Sequence, residues 1–195
     1  GFFRKMMGAA PGETARALYG AYRLASLDSA GMDYFKNTRG AFWRSFNAAL
    51  IIAPFYVGLL LMRYEIGEIS TTVFYFMSVE IISYIISWVA FPVVVDLLIT
   101  TMDRREKYIR YIIAYNWAAV LQNLLYLPMA MLSVNGIFLS SSAGLLGLII
   151  LIFFMVYTWF ITKTALNIPS GRAATIVAID FALSLLLKGY AEKIL

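Results

Sequence analysis

The chain has 195 residues, 62% of them hydrophobic and only 14% charged, with a mean hydropathy of +0.77 and a formal net charge of +5. A soluble domain carries about 25% charged residues, so this chain cannot cover its surface with charge, and its solvent is lipid. Histidine and cysteine are both absent, which excludes imidazole bases, thiol nucleophiles, disulfides, haem ligation and zinc or copper sites.

Residues 1–40 form the polar end and are expected to make a cytoplasmic, interfacial N-terminal region. Pro11 suits the first turn of a helix, and Pro11 to Leu27 reads as one amphipathic segment. On a helical wheel Ala15, Leu18, Tyr22 and Ala25 share one face, with Arg16 and Arg23 on the other. Such a helix either rests in the headgroup boundary or packs on a bundle as an ordinary surface helix.

Residues 41–195 are expected to form one bundle of five membrane-spanning helices, near 42–63, 71–100, 108–133, 142–163 and 171–188. The first is charge-free from Ser45 to Met62, with Trp43 and Tyr64 as interfacial aromatics and Pro54 as a bend. The second opens on the capping run Ser70-Thr71-Thr72 and is long enough to cross with a kink at Pro92. Tyr111 to Thr162 contains no charged residue. That stretch is too long for one span and natural for two, turning at Ser133-Val134-Asn135-Gly136 with Ser140-Ser141-Ser142 as the next cap. The fifth is the shortest, apolar from Ala173 to Leu187 but interrupted by Asp180. It crosses if Arg172 and Lys188 snorkel outward, and a re-entrant helix is its alternative.

Lysine and arginine are counted over alternate loops. One side holds seven before the first span, four in Arg104–Arg110, and Lys163 with Arg172; the other holds Arg63, Lys188 and Lys193. Thirteen against three puts the N-terminus in the cytoplasm and the C-terminus across the membrane. The same asymmetry explains the net positive charge without nucleic acid. Arg16, Arg23, Trp43, Arg44, Arg104, Arg105 and Lys107 are therefore expected at the membrane interface, facing lipid headgroups.

Ionisable side chains inside the bilayer are the sharpest functional hints in such a chain. Glu80 is placed about halfway through the second span, with Ser83, Tyr84 and Ser87 along one helix face. Asp180 lies near the middle of the fifth span, with Ser184 one turn on. Asn116 and Asn123 share a face of the third span, beside Gln122, and could donate hydrogen bonds to either carboxylate. No lysine or arginine is expected at comparable depth. This polar network fits a proton or cation relay, and equally a set of buried acids joining helices.

Other chemistry is missing. No Walker, dinucleotide or GxSxG motif occurs, and a serine nucleophile would depend on a lysine base. Lys163, flanked by Thr162 and Thr164, reads as an interfacial anchor. No enzyme, metal site or cofactor is expected. The remaining Phe, Tyr and Met residues are expected to fill helix contacts and lipid-facing grooves.

The stretch Tyr108-Ile-Arg-Tyr-Ile-Ile-Ala-Tyr115-Asn-Trp117, ending in Leu127-Pro128-Met129, is similar in style to the third span of the Yip1 family. The layout of a polar N-terminal region, five closely spaced helices and a short tail also resembles that family. Pattern similarity covers some twenty residues, and the Asp-Leu-Tyr-Gly-Pro signature of the eukaryotic members is absent. The resemblance implies a membrane-organising adaptor whose helices bind other membrane proteins. The leading expectation is thus a non-enzymatic scaffold or accessory subunit of a bacterial-type inner membrane, associating with other membrane proteins or with itself. A small proton- or cation-coupled permease using the intramembrane carboxylates is the alternative.

Overall fold

The computed structural model describes residues 11–67, 70–137 and 140–195. Arg4 and Lys5, counted in the charge asymmetry, lie outside them, as do the side chains of the Ser140-Ser141-Ser142 cap. The described chain is all-α. Helix α1 covers Pro11–Ala25, followed by a 3-10 turn at Ser29–Tyr34, α2 at Arg39–Ser45 and α3 at Asn47–Glu65. Then come α4 (Val73–Thr101), a 3-10 turn at Arg105–Lys107, α5 (Tyr108–Val134), α6 (Ser140–Leu166) and α7 (Ser170–Ile194).

Five helical stretches are long and apolar enough to cross a membrane: 39–65, 73–101, 105–134, 144–166 and 170–194. The polytopic all-α bundle expected from the sequence is present. The last stretch is a continuous 25-residue helix, longer than its apolar centre, because Lys188, Lys193 and Glu192 are carried on helical turns at its end. Thr72 caps α4 as expected, accepting from the Tyr75 amide at 3.4 Å. In the first span the break falls at Phe46, between α2 and α3, while α3 runs unbroken through Pro54.

Helix α5 is the centre of the bundle. Tyr111 to Ala114, Asn116 to Ala118 and Val120 are all buried, so this half of α5 is enclosed round most of its circumference. It packs against α1, α2, α3 and α6, while α7 lies between α6 and α4. The outward positions are equally apolar. Ile82, Ile85, Val89 and Val93 on α4 and Leu145, Leu148 and Ile152 on α6 are exposed, as suits helices with lipid on one side and protein on the other.

Helix α1 belongs to this bundle. Its buried face is Ala17, Gly20, Ala21 and Leu24, whereas Tyr22 of the expected apolar face is 61% exposed. The rotation has a steric cause. Small side chains let α1 approach α5 and α6 closely, and Tyr157 of α6 donates its hydroxyl to the Ala21 carbonyl at 2.6 Å. Met32 and Phe35, just beyond α1, sit in the same apolar core.

Three helices end on a residue in the left-handed region, Leu27 (φ 58°), Asp103 (φ 53°) and Asn167 (φ 51°). Each closes its helix with a bond reaching back five residues: Asp28 N to Arg23 O, Arg104 N to Ile99 O, and Ile168 N to Lys163 O. These ends belong to one pole of the molecule, the basic pole. Asn37 there donates to Glu106 O at 3.3 Å, and Arg110 reaches Met32 O and Asp33.

Candidate functional site: two carboxylate clusters and a basic cleft

Glu80 is 7% exposed and lies on α4 facing α3. Two groups hold it. The Tyr56 hydroxyl donates to Oε2 at 2.7 Å, and Arg63 Nη1 stands 3.5 Å from Oε1. The expectation of no cation at this depth is therefore corrected. Glu80 is the eighth residue of a 29-residue helix that begins at Val73, which puts it about 10 Å from the helix end rather than halfway. Arg63, in the last turn of α3, is level with it. Tyr84 stacks on Tyr56 with ring centroids 4.9 Å apart and donates to Ala49 O at 2.6 Å. Of the serines expected beside Glu80, Ser87 is exposed and bonds back to Tyr84 O, and Ser83 is half-buried.

Asp180 on α7 accepts from the Tyr115 hydroxyl of α5 through both oxygens, at 2.9 and 3.0 Å. Phe91 of α4 packs on the Tyr115 ring at 4.5 Å, and Tyr111 pairs with Thr162 of α6 at 2.9 Å. Four helices thus meet around this acid.

The two acids do not share a level. Tyr75 of α4 donates to Ile194 O, setting the first turn of α4 beside the last turn of α7. From that contact Glu80 is about 8 Å along α4 and Asp180 about 21 Å along α7. Phe91 gives a second register, since it is eleven residues, or about 16 Å, from Glu80.

The amides expected to serve the carboxylates serve other groups. Asn116 is fully buried and donates Nδ2 to Ser45 Oγ at 2.9 Å, beside the Phe46 break, and its Oδ1 has no partner among the described residues. Gln122 donates to Thr158 Oγ1 at 3.2 Å and Asn123 to its own helix at Ala119 O. None reaches a carboxylate, because Asn116 faces α2, Gln122 faces α6 and Asn123 lies beside Ile51, Ile52 and Phe55 of α3. Tyr84 was expected on the polar face of Glu80 and the other tyrosines as filling between helices, but their use as hydrogen-bond donors between helices was not expected. Tyr56, Tyr84, Tyr108, Tyr115 and Tyr157 each donate to a group on another helix. For Tyr56, Tyr84, Tyr115 and Tyr157 the mid-helix position, away from the membrane-edge belts, was the signal available, whereas Tyr108 opens α5.

At the basic pole the interfacial cations are partly paired. Arg44 donates Nε and Nη2 to Glu13 Oε1 at 3.1 and 2.8 Å, joining α2 to α1. Arg23 pairs with Asp28, donating Nε at 2.7 Å. That hydrogen bond, helped by the Ala30 amide, holds the Asp28 carboxyl below its ordinary range. Trp43 is 70% exposed, and Arg104, Arg105 and Lys107 lie in and beside the neighbouring 3-10 turn. Between α1, α2 and α5 opens a cleft of about 280 Å³, lined by Glu13, Arg16, Lys36, Arg44, Tyr34 and Trp117 among others. The Arg16 guanidinium lies 5.9 Å from the Tyr34 ring centre.

Comparison with protein-family models, curated proteins and solved structures returned no match. The function must be read from this geometry. The chain is an integral membrane protein by its five apolar helices.

Proposed function

We propose that the chain is a non-enzymatic membrane scaffold or accessory subunit of a bacterial-type inner membrane, N-terminus in the cytoplasm, which associates with other membrane proteins or with itself. The carrying observation is how its intramembrane acids are used. Glu80 is bound by Tyr56 and Arg63, and Asp180 by Tyr115. Each joins neighbouring helices, and the two lie about 13–16 Å apart along the bundle. A relay needs groups within hydrogen-bond reach of one another or of a water between them. A joint between helices needs only what is seen.

The absence of His and Cys and the Yip1-like layout support the same reading. Purification in mild detergent from native membranes, followed by native mass spectrometry, tests it. A stoichiometric companion or a defined homo-oligomer is expected. A lone monomer whose proteoliposomes carry an ion flux abolished by Glu80→Gln would overturn the reading in favour of a permease.

A further inference from the structure

The cleft at the basic pole has a chemistry of its own. Three cations reach it from successive segments: Arg16 from α1, Lys36 from the loop, and Arg44 from α2. One carboxylate, Glu13, lines it as well and accepts from Arg44. Arg16 and Lys36 have no carboxylate partner among the described residues, so the cleft keeps an excess of about two positive charges. Tyr34 and Trp117 wall it, and Ala17, Ala41 and Ile113 give it an apolar base.

Positive residues at one pole are what membrane orientation alone requires. Orientation requires only their number, however, and not their convergence on a concave site. Guanidinium forks match phosphate oxygens in pairs, and an ammonium adds a compact charge. At about 280 Å³ the cleft is slightly below the range of pockets for drug-sized ligands, which fits a headgroup. Its height fixes the source. It opens at the first turn of the first span, next to exposed Trp43, and tryptophan marks the headgroup level.

We infer that this cleft binds the phosphate headgroup of one anionic glycerophospholipid, with Arg16, Lys36 and Arg44 on the phosphate and Glu13 competing for Arg44 in its absence. The site is independent of whether the bundle scaffolds other proteins. Bound lipid would tie α1 and α2 together across the α5 surface, as the Glu13–Arg44 ion pair does otherwise.

Delipidated full-length chain in a neutral detergent is titrated with dioleoyl phosphatidylglycerol, and native mass spectrometry counts the lipid retained. One tightly held lipid per chain is expected, with dioleoyl phosphatidylcholine held far more weakly. Arg16→Gln and Lys36→Gln should each weaken retention about fivefold, the value of one basic residue near an anionic surface. Glu13→Gln should strengthen it by a similar factor. Because Arg16 and Lys36 are exposed, both variants should keep the wild-type circular dichroism and melting point. Arg16→Gln combined with Lys36→Gln should weaken retention about 25-fold, whereas Arg105→Gln combined with Lys107→Gln removes the same two charges from the same pole and should change retention little.

Three outcomes overturn the inference. The Arg105/Lys107 pair could weaken retention as much as the Arg16/Lys36 pair, which means diffuse attraction. Phosphatidylcholine could bind as well as phosphatidylglycerol. Inorganic phosphate at millimolar concentration could bind the delipidated chain alone and displace the lipid completely, which means a site for free phosphate.

Discussion

Glu80 has two partners of different kinds, a tyrosine hydroxyl at 2.7 Å and a guanidinium at 3.5 Å, and substitution can separate them. Tyr56→Phe removes one hydrogen bond and should cost about 1–2 kcal/mol, because the acceptor is a carboxylate in an apolar layer. Glu80→Gln keeps an acceptor for Tyr56 and loses only the long ion pair, so a cost under about 1 kcal/mol is expected. Glu80→Ala removes both contacts. Breaking a buried pair costs about 3–5 kcal/mol, but the Arg63 side chain is 29% exposed and can turn toward the headgroups, which lowers the figure to about 2 kcal/mol. Steric trapping in bicelles would rank the three. If Tyr56→Phe is neutral while Glu80→Gln is severe, the acid is not a joint between α3 and α4, and a titrating role returns.

At the scale of the element, α1 shows what the sequence could and could not disclose. The five spans were legible because length and apolarity are required of any helix in lipid. Their buried faces were not, since Ile82 toward lipid and Phe76 toward protein are equally apolar, and hydrophobicity cannot tell the two solvents apart. Small residues can. Ala17, Gly20 and Ala21 were the better guide to the packed face of α1 than Leu18 and Tyr22. In the candidate site, both acids were legible as rare charges, but the Arg63–Glu80 pair was not, because it depends on the last turn of α3 lying level with Glu80 across the α3–α4 contact.

The closest approach in α1 gives a direct test. A Cβ added to Gly20 would lie 2.6 Å from Tyr34 Cβ, and one added to Gly31 would lie 2.6 Å from the Gly20 carbonyl. These two glycines let the 3-10 turn fold back on α1. Gly20→Ala should therefore cost about 1–3 kcal/mol by overpacking and open the Leu27 corner to limited proteolysis. Gly147→Ala, where an added Cβ meets nothing within 4 Å, should be neutral or slightly stabilising, since alanine favours the helix. Equal tolerance at both positions would mean that α1 is not seated on the bundle as described.

For the whole molecule, an odd number of crossings would place the two ends on opposite sides of the membrane, and the proposed side of the C-terminus depends on that parity. The weakest link is α7, whose centre carries Asp180. Its acid is held by Tyr115 and its end by the Tyr75 contact to Ile194 O, which together require α7 to run beside α4 from the level of Asp180 to its last turn. A re-entrant helix would turn back before reaching Tyr75. The chain has no cysteine, so single introduced thiols report without background. Ser29→Cys samples the basic pole, Asn135→Cys the far end of α5, and Glu192→Cys the end of α7. In intact cells a membrane-impermeant maleimide should label Asn135→Cys and Glu192→Cys and leave Ser29→Cys until the membrane is opened. Were Glu192→Cys protected together with Ser29→Cys, α7 would not cross. The bundle would then have four spans, and the Asp180–Tyr115 contact would need another geometry.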